Sequence, residues 1–178
     1  MTQLTLALLA LAANPCVSGV PVGGRPGPYS FLVATGPQRG QQTCYVCEQD
    51  KKPTAVVFAR STSAPLGKLL ARLDATVAAK KDDGFLAWMT LLADRADLDA
   101  LAKWSQAQGL KAIPVGAFED ADGPPAYKLA ADADVTVLLF VNRKVAANFA
   151  FRRDELTDEK VAEVAAAVGK LFQASRER

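Results

Sequence analysis

PTAVVFARSTSAPLGKLLARL, running from Pro53 to Leu73, is the stretch whose reading decides the fold. Thr54–Ala59 is a β-branched and aromatic apolar run of strand length, as in a strand buried on both faces. Arg60–Ala64 is a tight polar link. Pro65 suits the first position of a helix, where its missing N–H costs nothing. After it, Leu66, Leu69, Leu70, Leu73 and Val77 recur at helical spacing on one face. A buried strand that feeds an amphipathic helix is the opening half of a βαβ unit. The join is often a reaction site, because helix N–H groups face solvent there. Here it holds Ser61, Thr62 and Ser63 and no cysteine. A cysteine pair, Cys44-Tyr45-Val46-Cys47, lies just upstream of the strand instead.

Downstream, Lys80–Gly84 is a turn and Phe85–Ala93 a second buried strand. Asp94–Gln108 is an amphipathic helix with Leu98, Leu101 and Trp104 on one side, ended by Gly109. Ile113–Phe118 is a third strand, with Pro114 as a strand-start proline. Glu119–Pro125 is an acidic loop and Ala126–Ala133 a short helix. Val135–Val141 is a fourth strand, which turns through Asn142-Arg143 into an antiparallel neighbour, Lys144–Phe151. Leu156–Phe172 is a closing helix that Thr157 can cap, with Val161, Val164, Val168, Leu171 and Phe172 on its buried face. Upstream, Tyr29–Thr35 is a short strand and Gly36–Gly40 a turn. The expected architecture is α/β, with a mixed central sheet, helices on both faces and an N-terminal hairpin.

The totals narrow the function. With 178 residues, half of them hydrophobic and 22% charged, the chain suits one domain with a real core. The formal net charge is +2, and its basic residues mostly neighbour acids, so no stripe for nucleic acid is present. There is no histidine. That absence removes Ser-His and Cys-His nucleophile pairs and imidazole metal sites. No cofactor is expected. Ser61, Thr62 and Ser63 lack a base and read as helix caps. Glu119, Asp120 and Asp122 lack EF-hand spacing and read as a solvated loop. Trp88 and Trp104 read as core.

Leu4–Ala12 is apolar, and its Ala10-Leu11-Ala12 matches the A-x-A form of a signal-peptidase site. It is too short for a membrane span of about 20 residues. No Lys or Arg precedes it, which leaves an N-terminal core helix as the other reading. Ser18–Pro28 is rich in Gly and Pro and reads as a linker. The expected division is a signal-like segment and linker over 1–28, a domain over 29–173 and a polar tail over 174–178, in a protein exported to the periplasm or beyond. Cys16 is read as an incidental thiol near the terminus.

Over Tyr29 to Phe172 the chain resembles the thioredoxin superfamily, nearest its longer branch of peroxiredoxin-like and TlpA-like exported proteins. The resemblance rests on element order and two local matches. Phe58-Ala59-Arg60-Ser61-Thr62-Ser63-Ala64-Pro65-Leu66 lies without gaps over the family's strand end and C-x-P-C run. Val135–Phe140, its turn and the next strand resemble the family's cis-proline strand and hairpin. GPYS, the GPQRG turn and the C-x-x-C also resemble uncharacterised exported bacterial thioredoxin-like proteins. The resemblance puts Ser63 where the attacking cysteine would be, Leu66 where the resolving cysteine would be and Val135 where the cis-proline would be. A non-proline cis bond costs about 2.5–4 kcal/mol, so a trans peptide is expected at Val135.

Thiol chemistry then falls to Cys44 and Cys47, the candidate catalytic pair. Their side chains would point to opposite faces of a straight strand. If bonded, they need Thr43–Glu48 to be a turn or a single helical turn. Three readings stay open: a redox pair exchanging disulfides with a protein partner, a structural bridge or idle thiols, and half of a zinc site. Glu48 and Asp50 disfavour a thiolate while Lys51 and Lys52 favour it. Since Cys47 precedes the amino end of the organising strand, the pair belongs at the opposite pole from Ser63, unless Glu48–Pro53 doubles back.

Overall fold

The computed structural model describes residues 14–49 and 51–176, so Leu4–Ala12 lies outside the described residues. The organising strand is β3 (Thr54–Ala59), with all six residues buried. Ser63 caps the helix that follows, α2 (Ala64–Ala79), by accepting the Leu66 N–H at 3.3 Å. Next come β4 (Leu86–Leu92), α3 (Leu98–Ala107) and β5 (Val115–Phe118). The closing hairpin is β6 (Val135–Val141) and β7 (Lys144–Phe151), and α4 (Asp158–Arg176) ends the described chain. Ahead of β3 stand β1 (Phe31–Val33), β2 (Gln42–Thr43) and a single helical turn, α1 (Tyr45–Glu48).

The seven strands form one sheet in the order β2-β1-β5-β4-β3-β6-β7. β3, β4 and β5 run parallel, while β1, β2, β6 and β7 pair antiparallel at the two sides. The expected mixed sheet and front hairpin are therefore present. Asn142 and Arg143 make the β6–β7 turn with φ of 55° and 59°. Two positive values suit a two-residue turn that follows strand twist. There is no cis peptide among the described residues, and Val135 is trans as expected.

Period-two alternation divides the side chains between two cores. Ala55, Val57 and Ala59 of β3 join Met89, Val137 and Leu139 under Leu66, Leu69 and Leu70 of α2, Leu101 of α3 and Val164 of α4. All three long helices thus cover one face. Val56 and Phe58 point to the other, among Tyr29, Phe31, Trp88, Tyr127, Leu138 and Phe140. That aromatic layer is covered by α1, by a 3-10 turn at Pro125–Tyr127 and by the Gly/Pro-rich stretch after Ser18. Trp88 Nε1 donates to Tyr29 Oη at 2.7 Å, which in turn bonds Thr90 Oγ1 at 2.8 Å. Both buried polar tips are satisfied, as burial demands.

Ser18–Pro28 contains no helix or strand, yet it is seated as a strap. Ser18 Oγ bonds Thr136 Oγ1 at 2.7 Å. Asn148 Nδ2 donates to the carbonyls of Ser18 and Val20, both at 2.9 Å. Gly23 N–H donates to the Val145 carbonyl at 2.8 Å, and Val145 N–H to the Gly24 carbonyl at 2.9 Å. Gly19 is required here: at φ +90° a side-chain carbon would meet Thr136 Cγ2 at 2.9 Å.

The expected short helix at Ala126–Ala133 is a correction. Only Pro125–Tyr127 is helical, as a 3-10 turn, and Lys128 is left-handed at φ 54°. Groups that a longer helix would use are taken elsewhere: the Lys128 carbonyl accepts the Gly19 N–H at 3.2 Å and Ala130 N–H donates to Ser18 Oγ at 3.0 Å. Arg60 Nε donates to Ala133 O and Nη2 to Ala130 O, both at 3.0 Å, and Nη1 donates to Ala121 O. The guanidinium thereby fixes the loop that stands in the helix's place.

Candidate functional site

Cys44 and Cys47 are joined by a disulfide, with Cα atoms 5.4 Å apart. Cys44 sits at the N-cap of α1, and Cys47 N–H donates to the Cys44 carbonyl at 3.1 Å. This is the single helical turn that a bonded C-x-x-C needs. Tyr45 anchors it, with its ring 5.6 Å from both Phe31 and Trp88. Val46 also packs on the aromatic layer. With those two residues facing inward, Cys44 is half-buried and Cys47 is exposed. Burial raises the Tyr45 phenol above its usual pKa, with Glu48 adding to the effect.

The connection to β3 stays at the strand's amino end. Lys52 N–H donates to the Gln49 carbonyl at 3.0 Å, and Thr54 Oγ1 donates to Gln49 Oε1 at 2.7 Å. Thr54 pairs with Phe140 at the far end of β6, next to the Asn142-Arg143 turn. A groove of about 230 Å³ opens there, lined by Pro26, Pro28, Val46, Cys47, Gln49, Phe140 and Arg143. The prolines come from the strap, Val46 and Cys47 from α1, and Phe140 from β6.

The other end of β3 meets a second groove of about 300 Å³, lined by Ser61, Thr62, Ser63, Asp134 and Arg152 among others. Four of its polar side chains have partners. Ser61 Oγ donates to Asp134 Oδ1 at 2.9 Å, Ser63 caps α2, and Arg152 Nε donates to Asp132 Oδ2 at 2.8 Å. Ala59 pairs with Val135 here, whereas Thr54 pairs with Phe140 at the cysteine end. Six residues of strand separate the two grooves, about 20 Å at 3.3 Å per residue. The expected separation of the pair from Ser63 is thus present.

Cys16 is a free, partly buried thiol. Burial first, and Asp132 second, raise its pKa, which disfavours thiolate. Among the described residues no three His, Cys, Asp or Glu side chains are placed to hold a metal ion. The acidic loop satisfies backbone instead: Asp122 N–H donates to Asp120 Oδ1 at 2.8 Å. Sequence reasoning missed Gln49, Pro26, Pro28, Phe140 and Arg143 as groove residues. Gln49 stood in a polar run with no pattern to mark it as buried.

No family model matches the chain, and no curated protein matches it. Solved structures do. A candidate protein disulfide isomerase from Bacteroides thetaiotaomicron superposes with a TM-score of 0.66 at 16% identity, covering 88% of this chain and 93% of that one. A candidate thiol:disulfide interchange protein DsbE from Chlorobium tepidum gives 0.61 at 16%, over 84% and 99%. Peroxidoxin BcpB from Mycobacterium tuberculosis gives 0.60 at 14%, over 88% and 99%. At these identities the likeness is one of fold: the chain has the thioredoxin fold, in the form shared by disulfide-interchange and peroxiredoxin structures. In this chain that fold carries a C-x-x-C disulfide on the turn before β3.

Proposed function

We propose that the protein exchanges disulfides with thiol-bearing proteins through Cys44 and Cys47. A partner thiolate attacks one sulfur of the pair, the Cys44–Cys47 bond breaks, and the other cysteine leaves as a thiolate. A second partner thiol then displaces the joined cysteine. Two partner thiols become one disulfide, the pair takes up two electrons, and both cysteines end as thiols. The reverse sequence reduces a partner disulfide. The observation that carries the reading is the exposure of Cys47 at the edge of a groove.

A structural staple is the second reading, favoured by the place of α1 between edge strand β2 and central strand β3. Its stabilising effect is small, since closing a four-residue loop is worth only about 2 kcal/mol in the chain-entropy model. The ordinary family site has no sulfur, with Ser63 and Leu66 in its place, so on this proposal the reactive pair is displaced to the opposite pole. An internal disulfide supports residence in an oxidising compartment outside the cytosol. No helix among the described residues is long and apolar enough to cross a membrane.

The test is the reduction potential of the pair, together with turnover of a model disulfide, using Cys44→Ser as control. Exchange predicts a potential above about −300 mV and turnover that the variant lacks. A lower potential with no turnover leaves the staple.

A further inference from the structure

We infer that the groove beside Cys47 is a docking subsite for an extended segment of the partner polypeptide. In it the Gln49 carboxamide pairs with the partner's main chain while Cys47 is the sulfur that joins it. This rests on the exchange reading above and gives it an order and a substrate class.

Gln49 lines the groove, yet is 1% exposed. Its Nε2 is the one buried side-chain polar atom without a hydrogen-bond partner among the described residues. An unpaired buried amide is costly, and native structures rarely keep one without a reason. Thr54 Oγ1 has a single proton and two acceptors in reach, Gln49 Oε1 at 2.7 Å and the Lys52 carbonyl at 3.0 Å. In this pairing Oε1 accepts from Thr54 and Nε2 is left with no acceptor. An extended peptide offers C=O groups along its edge, one of which can accept from Nε2.

The rest of the lining fits the same occupant. Pro26, Pro28, Val46 and Phe140 present an apolar wall beside the sulfur, suited to an apolar residue flanking the partner's cysteine. The order of sulfurs follows from access. Cys47 is exposed and lines the groove, while Cys44 is half-buried and does not line it. The incoming thiolate attacks Cys47 Sγ, and a partner–Cys47 disulfide forms as the Cys44–Cys47 bond breaks. Cys44 leaves as the thiolate and takes a proton from solvent.

The experiment compares rates of reduction of the oxidised protein by two thiols of matched acidity. One is a capped pentapeptide with a central cysteine flanked by leucines. The other is N-acetylcysteine amide. The peptide is expected to react faster, and Gln49→Met is expected to shrink that advantage roughly three- to tenfold, the worth of one hydrogen bond. Mass mapping with the peptide disulfide of 2-nitro-5-thiobenzoate should find the peptide on Cys47 of the Cys44→Ser variant and little on Cys44 of Cys47→Ser. Equal rates for the two thiols on the wild-type protein overturn the subsite, with Gln49 then paired only to a bound water, and leave exchange standing. Equal labelling of the two single-cysteine variants overturns the sulfur order. No reaction with either thiol takes down the exchange reading and the subsite together.

Discussion

The two ends of β3 are built differently from the same kind of part. At the carboxyl end, a 16-residue helix starts on a serine cap, beneath a loop that Arg60 holds by three carbonyls. At the amino end, one helical turn carries a disulfide, with Tyr45 and Val46 inward and Cys47 outward. At the first end Ser61, Ser63 and Arg152 have partners. The second keeps an exposed cysteine and a buried amide with an unpartnered nitrogen. On the proposed function, one pole serves stability and the other reactivity.

Substitution should separate the two ends. The largest effect is expected from Cys47→Ser, which should abolish turnover of a model disulfide. If turnover survives, the amino end is not the reactive one. Next comes Leu66→Ala at the carboxyl end. Leu66 is fully buried under the sheet, and its truncation should cost about 2–5 kcal/mol in denaturant unfolding. Reducing the Cys44–Cys47 bond should cost less, about 2 kcal/mol or under by the same measurement. A reversal of that ranking would make the disulfide the structural end after all. Ser63→Ala removes the α2 cap and should cost about 1 kcal/mol, with turnover unchanged. A fall in turnover would return function to the serine pole.

Near neutral pH the smallest effect is electrostatic. Burial raises the phenols of Tyr29 and Tyr127 above their ordinary value, with the Tyr29 hydroxyl held by Trp88 and Thr90. The folded chain therefore keeps protons that the unfolded chain loses above about pH 10. Stability should be level below that pH and fall as it rises further, since the unfolded state then binds fewer protons. Unfolding midpoints of Tyr29→Phe between pH 8 and 11 should show a shallower alkaline fall than wild type. An equal slope would remove Tyr29 from the account.

Most of the frame was legible because it follows periodicity. Thr54–Ala59, Leu66 to Val77 and Val135–Val141 carry patterns that one strand or helix must satisfy wherever it lies. The short helix at Ala126–Ala133 failed because Ser18 and Gly19, over a hundred residues earlier, take its Ala130 N–H and Lys128 carbonyl, and local propensity holds no trace of that. That Cys44 and Cys47 could bond only on a turn, and their place away from Ser63, followed from spacing and strand direction; that they do bond did not. The groove did not. Pro26, Val46, Gln49 and Phe140 come from three segments whose meeting depends on how the strap lies across β6 and β7, a tertiary outcome without a sequence signature.

The strap also sets an order of events during synthesis. Ser18 emerges early, but the hydroxyl that receives it belongs to Thr136, 118 residues later, and the Asn148 amide that clasps its carbonyl is 130 residues away. Pro26 and Pro28 therefore have Val46 and Gln49 available early, but the Phe140 side of their groove only once the closing hairpin has been made. The cysteine turn is complete by Glu48, long before the β6 side of its neighbouring wall is made. The sulfur-bearing turn is an early segment of this chain, and the surface that would choose its partners is completed late.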